Sequence, residues 1–180
     1  MSKRLPAVNK KREELLEVVD HRKKPLGAFP RSTVHQLGLM HKSVVILLYN
    51  REKKMYLQRR SHRQADCPGY WDLSAAGHVR FGEAAHEAAY RELNEELGIE
   101  HLRLYQLHSL SASPSTGYEF VTLFTTEPAE VVPQPNSREV SEGLFVERHE
   151  LAYLIENHAA ILTPTVIHFW KLGCLFRLRS

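Results

Sequence analysis

The residues from Gly77 to Ile99 restrict this chain more than any other stretch, because they put carboxylates where a helix ordinarily carries its apolar stripe. Suppose a helix starts near Glu83, after a Phe81-Gly82 turn, and each residue advances about 100° from Ala85. Glu92, Glu95 and Glu96 then fall at about −20°, −80° and +20°, interleaved with Ala84, Ala85, Ala88 and Ala89. Leu93 and Leu97 border this face, while Glu87, Tyr90, Arg91 and Asn94 take the far side. A Glu-rich helix ordinarily presents a solvated charge face. Here three carboxylates share the face whose small neighbours let other backbone come close, and like charges held together raise one another's pKa unless a cation neutralises them. Oxygen ligands in that number favour a hard ion, Mg²⁺ or Mn²⁺.

A chain of 180 residues with 43% hydrophobic content suits one globular domain across residues 1–180, with 1–14 expected as a flexible polar arm. The net charge of +3 is mild, and the clusters Lys3-Arg4, Lys10-Lys11-Arg12 and Arg22-Lys23-Lys24 carry no interleaved aromatic residues. They read as solvated basic segments and do not call for nucleic acid. No secretory leader and no membrane-length apolar run is expected, which points to the cytoplasm. Cys67 and Cys174 lack a metal-binding pattern and are expected as free thiols.

Leu15 to Val19 reads as a short strand, followed by a turn at His21 to Pro25, a second strand over Leu26 to Phe29 and a helical turn that ends at His41. Ser43 to Tyr49 and Met55 to Arg59 suggest a hairpin, and Tyr70 to Ser74 leads a strand into Gly77. After Gly98, strands are expected through Leu102, Leu104, Gln106 and His108, then Tyr118 to Thr126, then Gly143 to Val146. The proline-rich Pro128 to Asn136 connects the last two. Helices are expected from Arg148 to His158 and from about Thr165 to Phe176, the last capped by Thr163-Pro164.

The central stretch matches Gly-x5-Glu-x7-Arg-Glu-U-x-Glu-Glu-x-Gly-U, with U bulky and aliphatic, at all nine specified positions. This resembles the Nudix box. Arg31-x3-His35-x-x-Gly38-Leu-x-His41, Gln58-Arg59-Arg60-Ser61 and Pro68-Gly69-Tyr70-Trp71-Asp72 further resemble the Nudix branch related to isopentenyl-diphosphate isomerase. The resemblance implies an α/β/α sandwich with a mixed β-sheet and hydrolysis of a small-molecule diphosphate. It implies Glu92, Glu95 and Glu96 as metal ligands and catalytic carboxylates, helped by the Gly77 carbonyl, with Glu83 and Arg91 as a supporting ion pair. A further carboxylate outside the box commonly serves as base or ligand in this family; Glu119, Glu139 and Glu142 are candidates, with Glu119 and Glu139 favoured. His35, His41 and His78, with Glu119, resemble a second, His-rich metal site able to hold Mn²⁺ or Zn²⁺. Arg59, Arg60 and Arg63 are candidates for phosphate binding, since guanidinium forks match phosphate oxygens. Tyr70, Trp71, Tyr105 and Tyr118 are candidates for stacking a base.

The isomerases of that branch protonate a carbon–carbon double bond, and the resemblance puts their essential cysteine directly before the glycine matching Gly77. Alanine stands there, at Ala76, and has no proton to give. The sequence therefore favours a pyrophosphohydrolase over an isomerase, with a non-catalytic nucleotide-binding module as the third reading. A symmetric homodimer is the default expectation for a small enzyme.

Overall fold

A computed structural model describes residues 13–177 of the protein. Most of the expected N-terminal arm, with its clusters at Lys3-Arg4 and Lys10-Lys11-Arg12, lies outside the described residues. Its last two residues are held in place: Glu13 accepts the Ser32 amide at 2.7 Å, and Glu14 accepts Arg80 Nε at 3.0 Å.

The elements run β1 (Leu15–Val19), β2 (Pro25–Pro30), α1 (Arg31–Gln36), β3 (His41–Leu47), β4 (Met55–Arg60), β5 (Trp71–Asp72), β6 (Ala75–His78) and α2 (Ala85–Leu97). They continue with β7 (Leu104–Ser109), β8 (Glu119–Thr126), β9 (Val140–Val146), α3 (Arg148–His158) and α4 (Pro164–Lys171). A mixed four-stranded sheet has the order β6-β3-β8-β7, with β3 and β8 parallel and the other pairs antiparallel. An antiparallel sheet of order β5-β4-β9 lies beside it, and β1 pairs with β2 alone.

Strand β3 shows why the layers form. Its apolar run has no polar face, so it must be covered on both sides. Val44, Ile46 and Leu48 pack with Ala88, Ala89, Leu93 and Leu97 of α2, while Val45, Leu47 and Tyr49 pack with Leu151 of α3 and Val166 and Phe169 of α4. The result is the expected α/β/α arrangement with a mixed sheet.

The expected hairpin of β3 and β4 is not one. The strands meet only near the Asn50–Lys54 turn, through the Tyr49–Met55 bridge and Tyr56 N–H to the Leu48 carbonyl, and then part into different sheets. The single strand expected over 70–77 divides at the same fork: β5 pairs with β4 and β6 with β3. The buried Ser74 hydroxyl fills the gap by accepting Leu48 N–H at 2.9 Å and donating to the Tyr56 carbonyl at 2.6 Å. Its removal strands a buried amide, so Ser74→Ala should cost about 1–3 kcal/mol, read as a lower melting temperature in thermal denaturation.

Other boundaries move for local reasons. His41 opens β3 instead of ending a helical turn. Residue Leu107 bulges out of β7, and α4 stops at Lys171, ahead of the left-handed Gly173. Among the described residues no helix is long and apolar enough to cross a membrane.

Candidate active site

Helix α2 begins two residues later than the sequence suggests. Glu87 accepts the Ala84 amide at 2.8 Å, which satisfies one of the free N–H groups at the helix start. Gly98, at φ +63°, ends the helix. The proline-rich connection then closes its last carbonyls: Gln134 N–H donates to Leu97 O at 2.7 Å and Asn136 N–H to Glu96 O at 2.8 Å.

Glu92 and Glu96 are 6% exposed, so the acidic face is turned inward, whereas Glu95 is partly open. Burial pushes the Glu92 carboxyl up to about 7 against the pull of Arg91. Burial, followed by the Glu92 charge, raises Glu96 well above the ordinary range, although Gln58 Nε2 donates to it at 2.8 Å. Two carboxylates held in this state favour a cation beside them. Gly77 at the end of β6 is part of the same arrangement: a Cβ there would overlap the Glu92 carboxylate. Oxygen donors packed in this way fit a hard divalent ion.

Arg91 does not occupy the far side of the helix. Its guanidinium reaches round to form two bonds with Glu83, at 2.8 and 2.9 Å, a third with the His78 carbonyl at 2.9 Å, and contacts to Glu92 and Glu95. Helical angles place Cβ atoms, and an arginine side chain is long enough to cross them. Arg91 thereby ties the β6 end, the loop acid Glu83 and the helix into one unit. Burial works to raise Glu83, but the Arg91 bonds outweigh it and hold its carboxyl below the usual range.

The second cluster assembles from four elements. His35 of α1, His41 of β3, His78 of β6 and Glu119 of β8 each offer a ligand atom, all within 4.8 Å of one another. His35 Nε2 and His78 Nε2 lie 3.0 Å apart, and the Nε2 atoms of His41 and His78 each stand 3.6 Å from Glu119 Oε1. His41 is oriented by Nδ1–H donating to the Leu39 carbonyl at 2.8 Å, and its buried Nε2 has no hydrogen-bond partner among the described residues. Burial acts to raise Glu119, but His41 and His78 hold it far below the carboxylate range. Burial, and then the neighbouring His78 and His41, depress His35. Three imidazole nitrogens and one carboxylate suit a borderline transition ion such as Mn²⁺ or Zn²⁺. The purified protein is expected to retain such a metal, with stoichiometry falling in His41→Ala and His78→Ala when measured by plasma mass spectrometry.

Both clusters open into one cleft of about 1110 Å³. Arg60, Arg63 and Glu139 line it, and so does Ala76, beside Gly77. Cys67 also lines it, from the β4–β5 loop and not from β6. Arg59 is not among the lining residues: on a strand whose side chains alternate, its guanidinium turns away to the Gly69 carbonyl at 2.9 Å and Glu142 at 2.6 Å. The same ion pair occupies Glu142, which is likewise outside the cleft. None of Tyr70, Trp71, Tyr105 and Tyr118 lines it, so the described cleft offers no aromatic platform from these residues.

Sequence reasoning passed over four residues here. Gln58 supports Glu96, and Asp72 pairs with Arg60 at 3.2 Å. Arg80 bridges Glu14 and Glu95, and Arg138 enters the cleft next to Glu139. Gln58 and Asp72 stood within motifs already quoted, but nothing in strand periodicity marks which polar residue meets a helix from elsewhere in the chain. Arg80 and Arg138 left no sequence signal.

A carboxylate-bearing helix that follows a strand carrying Gly77, on one face of a mixed sheet covered by helices on the other, defines a recognisable α/β/α class. Residues 39–167 match the NUDIX domain model, and the chain belongs to the Nudix hydrolase family. An uncharacterized Nudix hydrolase of Pseudomonas aeruginosa is 36% identical over 139 residues, covering 77% of this chain and 81% of its own. Isopentenyl-diphosphate Delta-isomerase 2 of Photorhabdus laumondii is 29% identical over 155 residues, covering 84% and 87%. Among solved structures, DR0079 of Deinococcus radiodurans superposes with a TM-score of 0.70 at 28% identity, covering 80% of this chain and 90% of its own.

Proposed function

We propose that the protein is a metal-dependent pyrophosphohydrolase that cleaves the diphosphate linkage of a nucleoside diphosphate derivative or a similar organic diphosphate. The observation that carries this reading is the pair of buried carboxylates, Glu92 and Glu96, the former packed at Gly77, on the wall of a cleft that also presents Arg60, Arg63 and Arg138. Pure binding of an anion has no use for buried negative charge.

Glu92, Glu96 and the Gly77 carbonyl would hold Mg²⁺ or Mn²⁺, with Glu95 at the open edge. Bound there, the ion neutralises phosphate charge and lowers the pKa of water. The chain supplies the rest. Arg60, Arg63 and Arg138 draw the diphosphate in and orient it. Glu119 and Glu139 are carboxylates of the same cleft outside the helix; Glu139 is the better placed to take the proton from an attacking water, because the histidines that hold Glu119 far below the carboxylate range make it a weak base. The water oxygen bonds to one phosphorus, the bridging P–O bond breaks, and the products each end in a phosphate.

A panel of organic diphosphates assayed with Mg²⁺ and with Mn²⁺ should release phosphate-ended products, at a greatly reduced rate in Glu95→Gln or Glu96→Gln. Absence of turnover across the panel, with nucleotide still bound, would favour a non-catalytic module instead.

The isomerase reading draws on relatives that bear that name. Ala76 argues against it here, since the residue lines the cleft beside Gly77 and carries no proton donor. Isopentenyl diphosphate incubated with the metal-loaded protein is expected to give no allylic isomer, by proton nuclear magnetic resonance.

A further inference from the structure

Arg60 and the residues that fix it form a small built unit on the cleft wall. Its Nε donates to the Asp66 carbonyl at 2.9 Å, and one terminal nitrogen, Nη1, to Asp72 Oδ2 at 3.2 Å. Asp72 is only 5% exposed and is held in turn: Oδ1 accepts the Thr163 hydroxyl at 2.7 Å and the Leu73 amide at 2.9 Å. These partners come from different places: Asp72 from β5, Thr163 from the residue before α4, and Arg60 from the end of β4. Arg60, Asp72 and Thr163 all line the cleft. A guanidinium offers five N–H groups in a rigid fork, so two fixed bonds leave the remaining donors pre-aimed.

We propose that Asp72 is a positioning residue for substrate binding: anchored by Thr163 and Leu73, it locks Arg60 so that the free donors of the guanidinium meet a phosphate of the substrate. The inference rests on the cleft being a diphosphate site. The carboxylate loses the freedom to rotate because both of its oxygens are engaged, and Arg60 loses it because two of its nitrogens are. The ordering cost of a long side chain is therefore met on folding and not on binding. Asp72 touches no reacting atom in this account and acts only through Arg60.

Inorganic pyrophosphate, titrated by calorimetry with Mg²⁺ present, tests the assignment without requiring turnover. Asp72→Asn keeps an acceptor for Thr163 and Leu73 but removes the charge facing Arg60. It should weaken pyrophosphate binding roughly tenfold, as loss of a charge-assisted bond implies. Arg60→Gln should weaken it at least as much, and the double variant should be no weaker than Arg60→Gln alone, because both changes remove one interaction. A purely structural role for Asp72 would lower the melting temperature and leave these affinities independent. If Asp72→Asn does not fold, Thr163→Val, which removes the hydroxyl that donates to Oδ1 and also accepts Val166 N–H at the start of α4, should weaken binding two- to threefold in the wild type and not at all on the Arg60→Gln background. Wild-type binding of pyrophosphate that survives intact in Asp72→Asn, or losses that add in the double variant, would overturn the proposal. Failure of the wild type itself to bind would overturn both this inference and the diphosphate reading.

Discussion

Replacing Glu96 with glutamine is expected to cut turnover on any diphosphate substrate by roughly a thousandfold, about 4 kcal/mol of barrier, while making the metal-free protein more stable at neutral pH. The two effects have one cause. Glu96 is a buried acid beside a second buried acid, and its carboxyl is raised well above the ordinary carboxylate range, chiefly by burial. Glu92 is raised to about 7 for the same leading reason. A folded acid with a raised pKa holds its proton where the unfolded chain has already lost it. Stability from such a group is therefore present at low pH and is lost as pH rises from the ordinary value of about 4.5 toward the folded one. For Glu92 that window runs from about 4.5 to about 7 and is worth on the order of 3 kcal/mol. Glu92 is present in both proteins and its window cancels, so the difference is that of Glu96: as pH rises above about 4.5, the melting temperature of metal-free wild type should fall further than that of Glu96→Gln, and Mg²⁺ should restore it in the wild type only. His35, depressed by burial and its neighbours, works in the opposite direction but is common to both proteins and drops out of the comparison. A variant that lost activity yet showed the same pH profile as wild type, with or without Mg²⁺, would remove the charge-based account of this site.

Gly77→Ala should be nearly as damaging, through geometry and not charge. The added Cβ would overlap the Glu92 carboxylate, and that carboxylate has little room to retreat because Arg91 grips it while Arg91 itself is bound to Glu83 and the His78 carbonyl. The expected result is a loss of turnover of about a hundredfold, with Mg²⁺ affinity reduced in parallel, since displaced supporting contacts typically cost a metal site 10- to 100-fold. Far-ultraviolet circular dichroism should stay unchanged, because the glycine's backbone is not in the left-handed region. A fully active Gly77→Ala would mean that Glu92 does not need its observed position.

The parts of the molecule legible in the sequence are those that depend on neighbours a few residues away. The spacing of Glu92, Glu95 and Glu96 against four alanines made an inward acidic face visible, because helical periodicity is a local property. The apolar run from Ser43 to Tyr49 was legible as a strand for the same reason, while its pairing with β6 and β8 was not. Arg59 shows where this stops: it reads the same as Arg60 on paper, and only the alternation of β4, together with the position of Glu142 on β9, sends one guanidinium out and the other into the cleft.

The fork at Ser74, the reach of Arg91 across its own helix and the Thr163–Asp72–Arg60 chain have no local signature at all. Each joins residues whose separation along the chain is set by loops and whose contact is set by sheet order. The amino-acid sequence by itself fixed that carboxylates would be buried on one helix after Gly77, since side-chain type and a 3.6-residue period suffice for that. The tertiary structure alone decided what faces them: Gln58 and Asp72 from a different sheet, four side chains able to hold a metal gathered from four elements, and the arginines that border the cleft. The physical reason is that packing brings together groups distant in sequence, and a pKa, a cation site or a phosphate fork depends on what is near in space.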